Sequence, residues 1–169
     1  IDISDPENIV AKDTETDNVN GFTQLSRPYG VDTFVIGSST YAIVASSVDN
    51  GVQIIDISDP ENIVAKDSAN DGDAGGFDEL DGAHGVATFT IGSSTYAIVT
   101  AKNDDGVQII DISDVDNIVA KDAETDGENG FTELDGADGV DTFVIGYSTY
   151  AIVAGYDDDG VQIIGLGST

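Results

Sequence analysis

Internal repetition is the feature of this sequence that most constrains its fold. The segment IDISDPENIVAKD is present, with at most two substitutions, at 1–13, 55–67 and 110–122. A longer segment, GVDTFVIGSSTYAIVA, is present with few changes at 30–45, 85–100 and 139–154. Copies offset by 54 or 55 residues indicate one supersecondary unit that buries its apolar face against the next unit.

Each unit is predicted to contain four β-strands. GVDTFVIG and TYAIVAS are rich in β-branched and aromatic residues, and a short GSS turn separates them. Asn-Gly or Asp-Gly then precedes GVQIIDIS, and such pairs favour a type I′ hairpin because both central residues need a positive φ. An Asp-Pro pair at 59–60 ends the third strand, since proline cannot donate a ladder hydrogen bond, and NIVAKD is the fourth strand.

This pattern predicts an all-β protein, because no helical periodicity is present in the chain. Four antiparallel strands per unit, with a long polar return to the next unit, are typical of a β-propeller blade. A parallel β-helix would instead have shorter coils and no hairpin signals. We expect one repeat domain over 1–169, with four-stranded antiparallel blades at 30–68 and 85–123 and an incomplete third blade at 139–164.

The strand GVQIIDISDP, preceded by an STYAIVA strand, resembles the LVIVD repeats of one β-propeller family. The core of that repeat is matched in all three units, except that Val115 stands where Pro6 and Pro60 stand in the others. The resemblance covers nearly the whole chain and implies the propeller fold, and such repeats are associated chiefly with microbial surface and secreted proteins. The unit here is longer, through the loop that carries GFxxL, so the resemblance implies no role for the loops.

Three blades are too few for a closed ring, because propellers contain about 4–8 of them. Open blade faces would exceed the few hundred Å² of contiguous apolar surface that soluble monomers tolerate. We therefore expect a closed homo-oligomer: a homodimer with six blades, or alternatively a homotrimer with nine. Residues 1–13 repeat an outer-strand segment without its blade, so we expect them to complete a neighbouring chain's last blade. The register at the two ends is also compatible with an engineered or excised fragment of a longer array, in which the tail at 165–169 duplicates positions 2–5.

The net charge of the chain limits the classes of molecule that it can bind. The chain has 33 acidic and 5 basic residues, with a net charge of −28, which excludes nucleic acid and anionic membrane surfaces as partners. No apolar stretch approaches the ~20 residues of a membrane-spanning helix, so no membrane insertion is expected. There is no cysteine and therefore no disulfide. Together with the repeat resemblance, the charge favours an extracellular or cell-surface location.

Acidic loops are the first candidate for chemistry, because Ca²⁺ takes 6–8 oxygen ligands. The weak Ca²⁺ candidates are Asp71, Asp73, Asp126, Glu128, Asp157 and Asp158. The EF-hand spacing, with glycine at position six and glutamate at twelve, is absent from these loops. The alternative is that these loops are solvated and that their Asp and Gly residues serve turns. We expect no other cofactor.

The inner strands present a second candidate. Asp32 and Asp141 occupy one place in the first and third units, and ring closure would gather them into a belt of carboxylates near a channel mouth. His84 precedes the inner strand of the second unit, but no cysteine or serine nucleophile pattern accompanies it. Phenylalanines of the GFxxL loops are interpreted as anchors that fold each loop over an apolar blade face.

We expect a non-enzymatic, repeat-built scaffold that binds other copies of itself, because near-identical units leave no asymmetric polar constellation. One alternative is a Ca²⁺-dependent surface adhesion module built on the acidic loops. Another is a hydrolase that uses the channel carboxylates Asp32 and Asp141.

Overall fold

The computed structural model describes residues 1–5 and 7–168, so Pro6 and Thr169 lie outside the described residues. Within these ranges the chain forms eleven β-strands and no helix. The strands are β1 (Pro28–Ile36), β2 (Ser39–Ser46), β3 (Gly51–Asp56), β4 (Val64–Asn70), β5 (Ala83–Ile91), β6 (Ser94–Ala101), β7 (Gly106–Asp111), β8 (Val119–Thr125), β9 (Ala137–Ile145), β10 (Ser148–Gly155) and β11 (Gly160–Ser168). The prediction of an all-β protein is confirmed.

Three antiparallel sheets follow one another along the chain. Sheet 1 has the order β1-β2-β3-β4, sheet 2 the order β5-β6-β7-β8, and sheet 3 the order β9-β10-β11. Every pairing is antiparallel and joins strands that are consecutive in sequence. The first strands of the sheets are neighbours in space, with β1 beside β5 and β5 beside β9. This arrangement fits a β-propeller, in which the innermost strands of successive blades lie next to one another.

The sheets are slightly longer than the blades that the sequence predicts. Sheet 1 covers 28–70, sheet 2 covers 83–125 and sheet 3 covers 137–168. The first strand of sheets 1 and 2 starts early because a bulge near its beginning carries one extra residue pair into the ladder. Residues 166–168 continue β11 along β10, whereas β3 and β7 end at the equivalents of Gly165 and the chain turns away toward a fourth strand.

The hairpins differ from the type I′ turns that the Asn-Gly and Asp-Gly pairs predict. Only the first residue of each pair is left-handed, with φ of 55° at Asn50, 56° at Asp105 and 54° at Asp159. The glycine that follows is the first residue of the next strand. In sheet 1 a side chain at Gly51 would collide with the carbonyl oxygen of Ala69, so close approach of β4 requires this glycine rather than turn geometry.

The apolar core lies between successive sheets. Ile43, Val52 and Ile54 of sheet 1 pack against Val99 and Ile110 of sheet 2, and all five are fully buried. A second cluster joins sheets 2 and 3 in the same way. The loop phenylalanines Phe22 and Phe77 are buried, which confirms their interpretation as anchors, whereas Phe131 is only partly buried against the second cluster.

Residues 1–5 and 7–13 form no strand in this structure. A single bridge joins Asp2 to Val10, the same partners that Asp56–Val64 and Asp111–Val119 form in the sheets. The segment lies against sheet 1 and contacts the loop that precedes β4. Its expected role as the outer strand of another chain's blade stays a prediction.

Candidate functional site

The junction between sheets 1 and 2 is held by a small set of polar contacts that recur. The carboxylate of Asp67 accepts a hydrogen bond of 2.8 Å from the backbone N–H of Ile118, and Lys66 Nζ lies 3.3 Å from Asp116. These residues join the outer strand of one sheet to the loop before the outer strand of the next. The contacts fix the spacing of successive sheets at their outer edge.

The N-terminal segment makes the same contacts to sheet 1. Asp13 accepts a 2.9 Å hydrogen bond from the N–H of Ile63, and Lys12 Nζ lies 3.3 Å from Glu61. Lys12 and Asp13 are the sequence equivalents of Lys66 and Asp67. The segment therefore lies where the outer strand of a sheet preceding sheet 1 would lie, and no strand in residues 1–5 and 7–168 forms such a sheet.

Sheet 3 presents an apolar face that sheets 1 and 2 bury. Ile152, Val161 and Ile163 are 37%, 60% and 48% exposed. Their equivalents Ile43, Val52 and Ile54 in sheet 1 are all 0% exposed, because sheet 2 covers them. We call the outward surface of sheet 3 that carries Ile152, Val161 and Ile163 the trailing face.

Sheet 1 presents the complementary face. Val31 is 65% exposed, whereas its equivalent Val86 in sheet 2 is only 8% exposed, at the junction with sheet 1. Phe22 covers part of this surface by packing on Ala42 and Ile55. We call the outward surface of sheet 1 that carries Tyr29 and Val31 the leading face.

A groove of about 400 Å³ opens between sheets 2 and 3. Its floor is apolar, with Phe89, Tyr96 and Val107 from sheet 2 and Ile164 and Leu166 from β11. Lys121, Asp122 and Glu124 of β8 line one rim. At the junction between sheets 1 and 2 the corresponding place is filled by Val115 and Ile118, which belong to the buried core.

Buried glutamines tie each loop to its sheet, a feature that sequence reasoning missed. Gln53 accepts a hydrogen bond from the N–H of Thr23 and donates one to the carbonyl of Asp67 in the outer strand. Gln108 accepts from two loop N–H groups and donates to the carbonyl of Asp122. The signal was available, because glutamine recurs at one place in the otherwise apolar strand GVQII.

Gln162 holds the same place in β11 but lacks the second half of this bridge. It accepts from the N–H of Thr132 at 3.2 Å, and its amide donates only to the adjacent carbonyl of Ile163 at 3.4 Å. No described strand pairs with the outer edge of β11. This edge therefore carries backbone groups and a glutamine amide without the partners that the other two sheets provide.

The Ca²⁺ candidates mainly cap their own loops. Asp71 accepts from the N–H of Leu80, Asp73 from Asn70, Asp126 from Leu134 and Asp158 from Asp135. Among residues 1–5 and 7–168, no three acidic or histidine side chains are arranged to hold a metal ion, and this includes Glu128 and Asp157. Ca²⁺ binding at these loops stays a prediction.

The two channel candidates have different surroundings. The carboxylate of Asp32 accepts hydrogen bonds from the N–H and hydroxyl of Thr88 at 2.6 and 2.7 Å, which joins β1 to β5. Asp141 is exposed and bonds only the N–H of Thr142 in its own strand. Asp32 therefore has a structural partner in the next sheet, and the belt of carboxylates stays a prediction.

His84 also links neighbouring sheets. Its ring stacks on Tyr29 with centroids 3.9 Å apart, and its Nδ1 lies 2.7 Å from a carboxylate oxygen of Asp138. These three residues occupy the same place in the three units. The contacts account for the histidine as part of the packing between units.

Glu79 is the acidic residue with the most perturbed ionisation. Burial raises its pKa to about 7, and repulsion from Asp104, Asp71 and Asp78 adds to this effect, while the hydroxyl of Thr125 opposes it. Thr125 donates a 2.6 Å hydrogen bond to one carboxylate oxygen, and the other oxygen is buried without a partner. Between about pH 4.5 and 7, the folded protein therefore keeps a proton on Glu79 that the unfolded chain has already lost.

The parent chain is expected to lose stability as pH rises from about 4.5 to about 7, because Glu79 must then ionise in a buried place. We predict that the Glu79→Gln variant does not show this loss. In this window the folded state binds more protons than the unfolded state, so the free energy of unfolding of the parent chain falls. Above pH 7 the variant should be more stable by about 1 kcal/mol, after allowance for solvent screening. Urea unfolding at pH 4.5 and 8 measures the difference, with the exposed Glu128→Gln as control for removing one negative charge. An equal gain at both pH values would contradict the prediction.

The comparisons with known proteins give little beyond this geometry. No protein-family model matches the chain, and no curated protein matches it. A search of solved structures finds the crystal structure of a functionally unknown protein from Desulfotomaculum acetoxidans DSM 771, with 17% identity and a TM-score of 0.49. The match covers 90% of this chain, which spans half the length of that protein. The resemblance to LVIVD repeats stays an expectation from the residues alone.

No helix in the described part of the chain has the length and apolar character that crossing a membrane requires.

Proposed function

We propose that this chain is a non-enzymatic scaffold of the β-propeller type whose activity is head-to-tail binding of its own copies. The observation that carries the proposal is the contrast between equivalent side chains. Val52 and Ile54 are fully buried where a sheet follows them, and Val161 and Ile163 are exposed where none does. The trailing face therefore has the side chains of an interface without its partner.

The leading face of a second copy supplies the matching surface. Val31 stands where Val86 packs against sheet 1, and Tyr29 stands where His84 does. A contact between two different faces is heterologous, so it must close into a ring or extend into a filament. Two copies give six sheets, which lies within the usual range of 4–8 blades, and three copies give nine. We propose the six-bladed homodimer.

Net charge sets the conditions for this assembly. Two chains of net charge −28 repel one another. At 0.1 M salt this repulsion is largely screened between charges more than about 10 Å apart. Burial of the two faces favours association at all salt concentrations. An extracellular or surface location in a salty medium is part of the proposal, since it provides this screening.

Light scattering on a size-exclusion column tests the proposal. At 0.5 M NaCl the chain of 17.5 kDa should elute with a mass of about 35 kDa, or about 52 kDa if three copies close the ring. Lowering the salt should move the population toward the monomer. A Val161→Lys variant should remain monomeric, whereas Val48→Lys, at an exposed position in the loop between β2 and β3, should assemble normally. A parent chain that stays monomeric at 0.5 M NaCl and 100 µM would refute self-assembly.

A further inference from the structure

We propose that the groove between sheets 2 and 3 and the outer edge of β11 together form a docking site for residues 7–16 of a second copy. This inference rests on the proposed self-assembly and names the segment and contacts that carry it. The described sheets form two junctions. The junction of sheets 1 and 2 contains a segment that the junction of sheets 2 and 3 lacks, and the groove lies at the place of this segment. At the junction of sheets 1 and 2, Val115 and Ile118 fill that place. In sheet 3 the last residues of β11 run along β10 and leave the place open.

The occupant follows from the repeat. Residues 7–16 are the third copy of the sequence that ends in β4 and in β8, and Ile9 and Ala11 correspond to Ile118 and Ala120. Ile118 and Ala120 pack in the junction core. Ile9 is 62% exposed in the single chain. Residues 7–16 thus have the same kind of sequence as the segment that fills the junction of sheets 1 and 2, and the side chain of Ile9 is exposed in the single chain.

The rim of the groove carries the polar groups that hold this segment elsewhere. Lys121 and Asp122 correspond to Lys66 and Asp67. By analogy with the observed pairs, Lys121 would bind the carboxylate of Glu7, and Asp122 would accept a hydrogen bond from the N–H of Ile9. In the single chain Lys121 lies 3.3 Å from Asp111. Lys121 is exposed and Asp111 is partly exposed, so the pair is screened by solvent and Lys121 can turn to Glu7 at a small energetic cost.

The edge of β11 fixes the register. Val107 pairs with Glu124 and Gln108 with Ala123, so Val161 would pair with Glu15 of the second copy. The amide of Gln162 would then donate to the carbonyl of Asp13, as Gln108 donates to Asp122 at 2.8 Å. Strand addition of this kind supplies the backbone hydrogen bonds that an open edge lacks.

Docking requires no release of the segment from its own chain. Lys12 and Asp13 contact sheet 1 of their own chain through Glu61 and Ile63, as Lys66 and Asp67 contact sheet 2. The docked segment therefore lies between sheet 1 of the chain that donates it and sheet 3 of the chain that receives it. Leu166 already occupies the place of Ile112, so the docked part begins after residues 1–5, which correspond to 164–168.

Disulfide trapping tests the register in a chain that has no cysteine of its own. Chains carrying Glu15→Cys are mixed with chains carrying Val161→Cys under mild oxidation. Partners in an antiparallel ladder have Cα atoms about 4.5–5.5 Å apart, within the range of a disulfide. We expect a linked dimer of about 35 kDa on a non-reducing gel. The control replaces Val161→Cys by Val144→Cys, which is equally exposed but lies on β9, at the opposite edge of sheet 3, and should give little product.

Ile9→Asp tests the groove. Loss of one buried isoleucine should weaken dimerisation about 10- to 100-fold, while the exposed position leaves the folding of the single chain unchanged. Val48→Asp is the control. Trapping and weakening together support the docking site.

A dimer by light scattering without trapping, and without weakening by Ile9→Asp, overturns the docking site but leaves the proposed self-assembly standing. A monomer in every measurement overturns both. Linkage within a single chain, seen when one chain carries both Glu15→Cys and Val161→Cys, also overturns docking between copies.

Discussion

Gln108→Ala is expected to lower the free energy of unfolding by about 3 kcal/mol. The side chain is fully buried and accepts hydrogen bonds from the N–H groups of Asp78 and Glu79 at 3.1 and 3.3 Å. Its amide donates to the carbonyl of Asp122 at 2.8 Å. Truncation removes this partner from three part-buried backbone groups and leaves a cavity. Each unpaired buried group costs about 1–3 kcal/mol, and water reaches these groups in part, so the expected loss is at the low end of the sum.

Gln162→Ala is the matched control, because it removes the same side chain from the same place in sheet 3. There the glutamine is partly exposed and bonds the N–H of Thr132, a group that water can satisfy. We expect a loss below about 1 kcal/mol when the chain is monomeric. Urea unfolding at low salt and low micromolar concentration measures both variants. Equal losses would show that the bridge to the outer strand contributes nothing.

Local sequence signals predicted the strands well. Repeated hairpins need only neighbouring residues, and the β-branched runs bounded by Gly, Asn and Asp predict all eleven strands, although β11 runs to Ser168, beyond its predicted end at 164. The prediction of type I′ hairpins was wrong, because Gly51 serves the close approach of Ala69 in another strand and does not have the positive φ that this turn needs. A dipeptide preference cannot distinguish a glycine required by a turn from one required by a neighbour.

Contacts between units were harder to predict than the units themselves. The sequence predicts a place for Asp32 in a channel belt, which stays a prediction, but it does not predict that the carboxylate binds Thr88, 56 residues away in the sequence. Lys66 lies 3.3 Å from Asp116 in the next sheet, a pairing that the repeated sequence does not indicate. A sequence with one repeated unit shows which residues recur, but the partner of each depends on how adjacent units pack.

Gly85→Ala is expected to destabilise the chain by about 2–3 kcal/mol. A Cβ at Gly85 would collide with the carbonyl oxygen of Asp138 in the next inner strand, and would lie 3.0 Å from the hydroxyl oxygen of Thr100. The backbone of β9 cannot move aside without disturbing its own ladder. Gly30 meets the carbonyl of His84 in the same way, so this close approach recurs at both junctions between sheets.

Gly139 occupies the equivalent place in sheet 3, and nothing lies within 4 Å of a Cβ built there. Gly139→Ala should therefore leave the stability of the monomer within about 0.5 kcal/mol of the parent. If a second copy docks on sheet 3 as sheet 3 docks on sheet 2, the carbonyl of its Tyr29 takes the place of the Asp138 carbonyl. The same substitution should then weaken dimerisation about tenfold or more, because the added Cβ would clash with the second copy at a cost of about 1–3 kcal/mol. Unfolding and sedimentation equilibrium measured on both variants separate the two effects: a Gly139→Ala chain that dimerises like the parent would contradict head-to-tail docking in the geometry of the internal junctions.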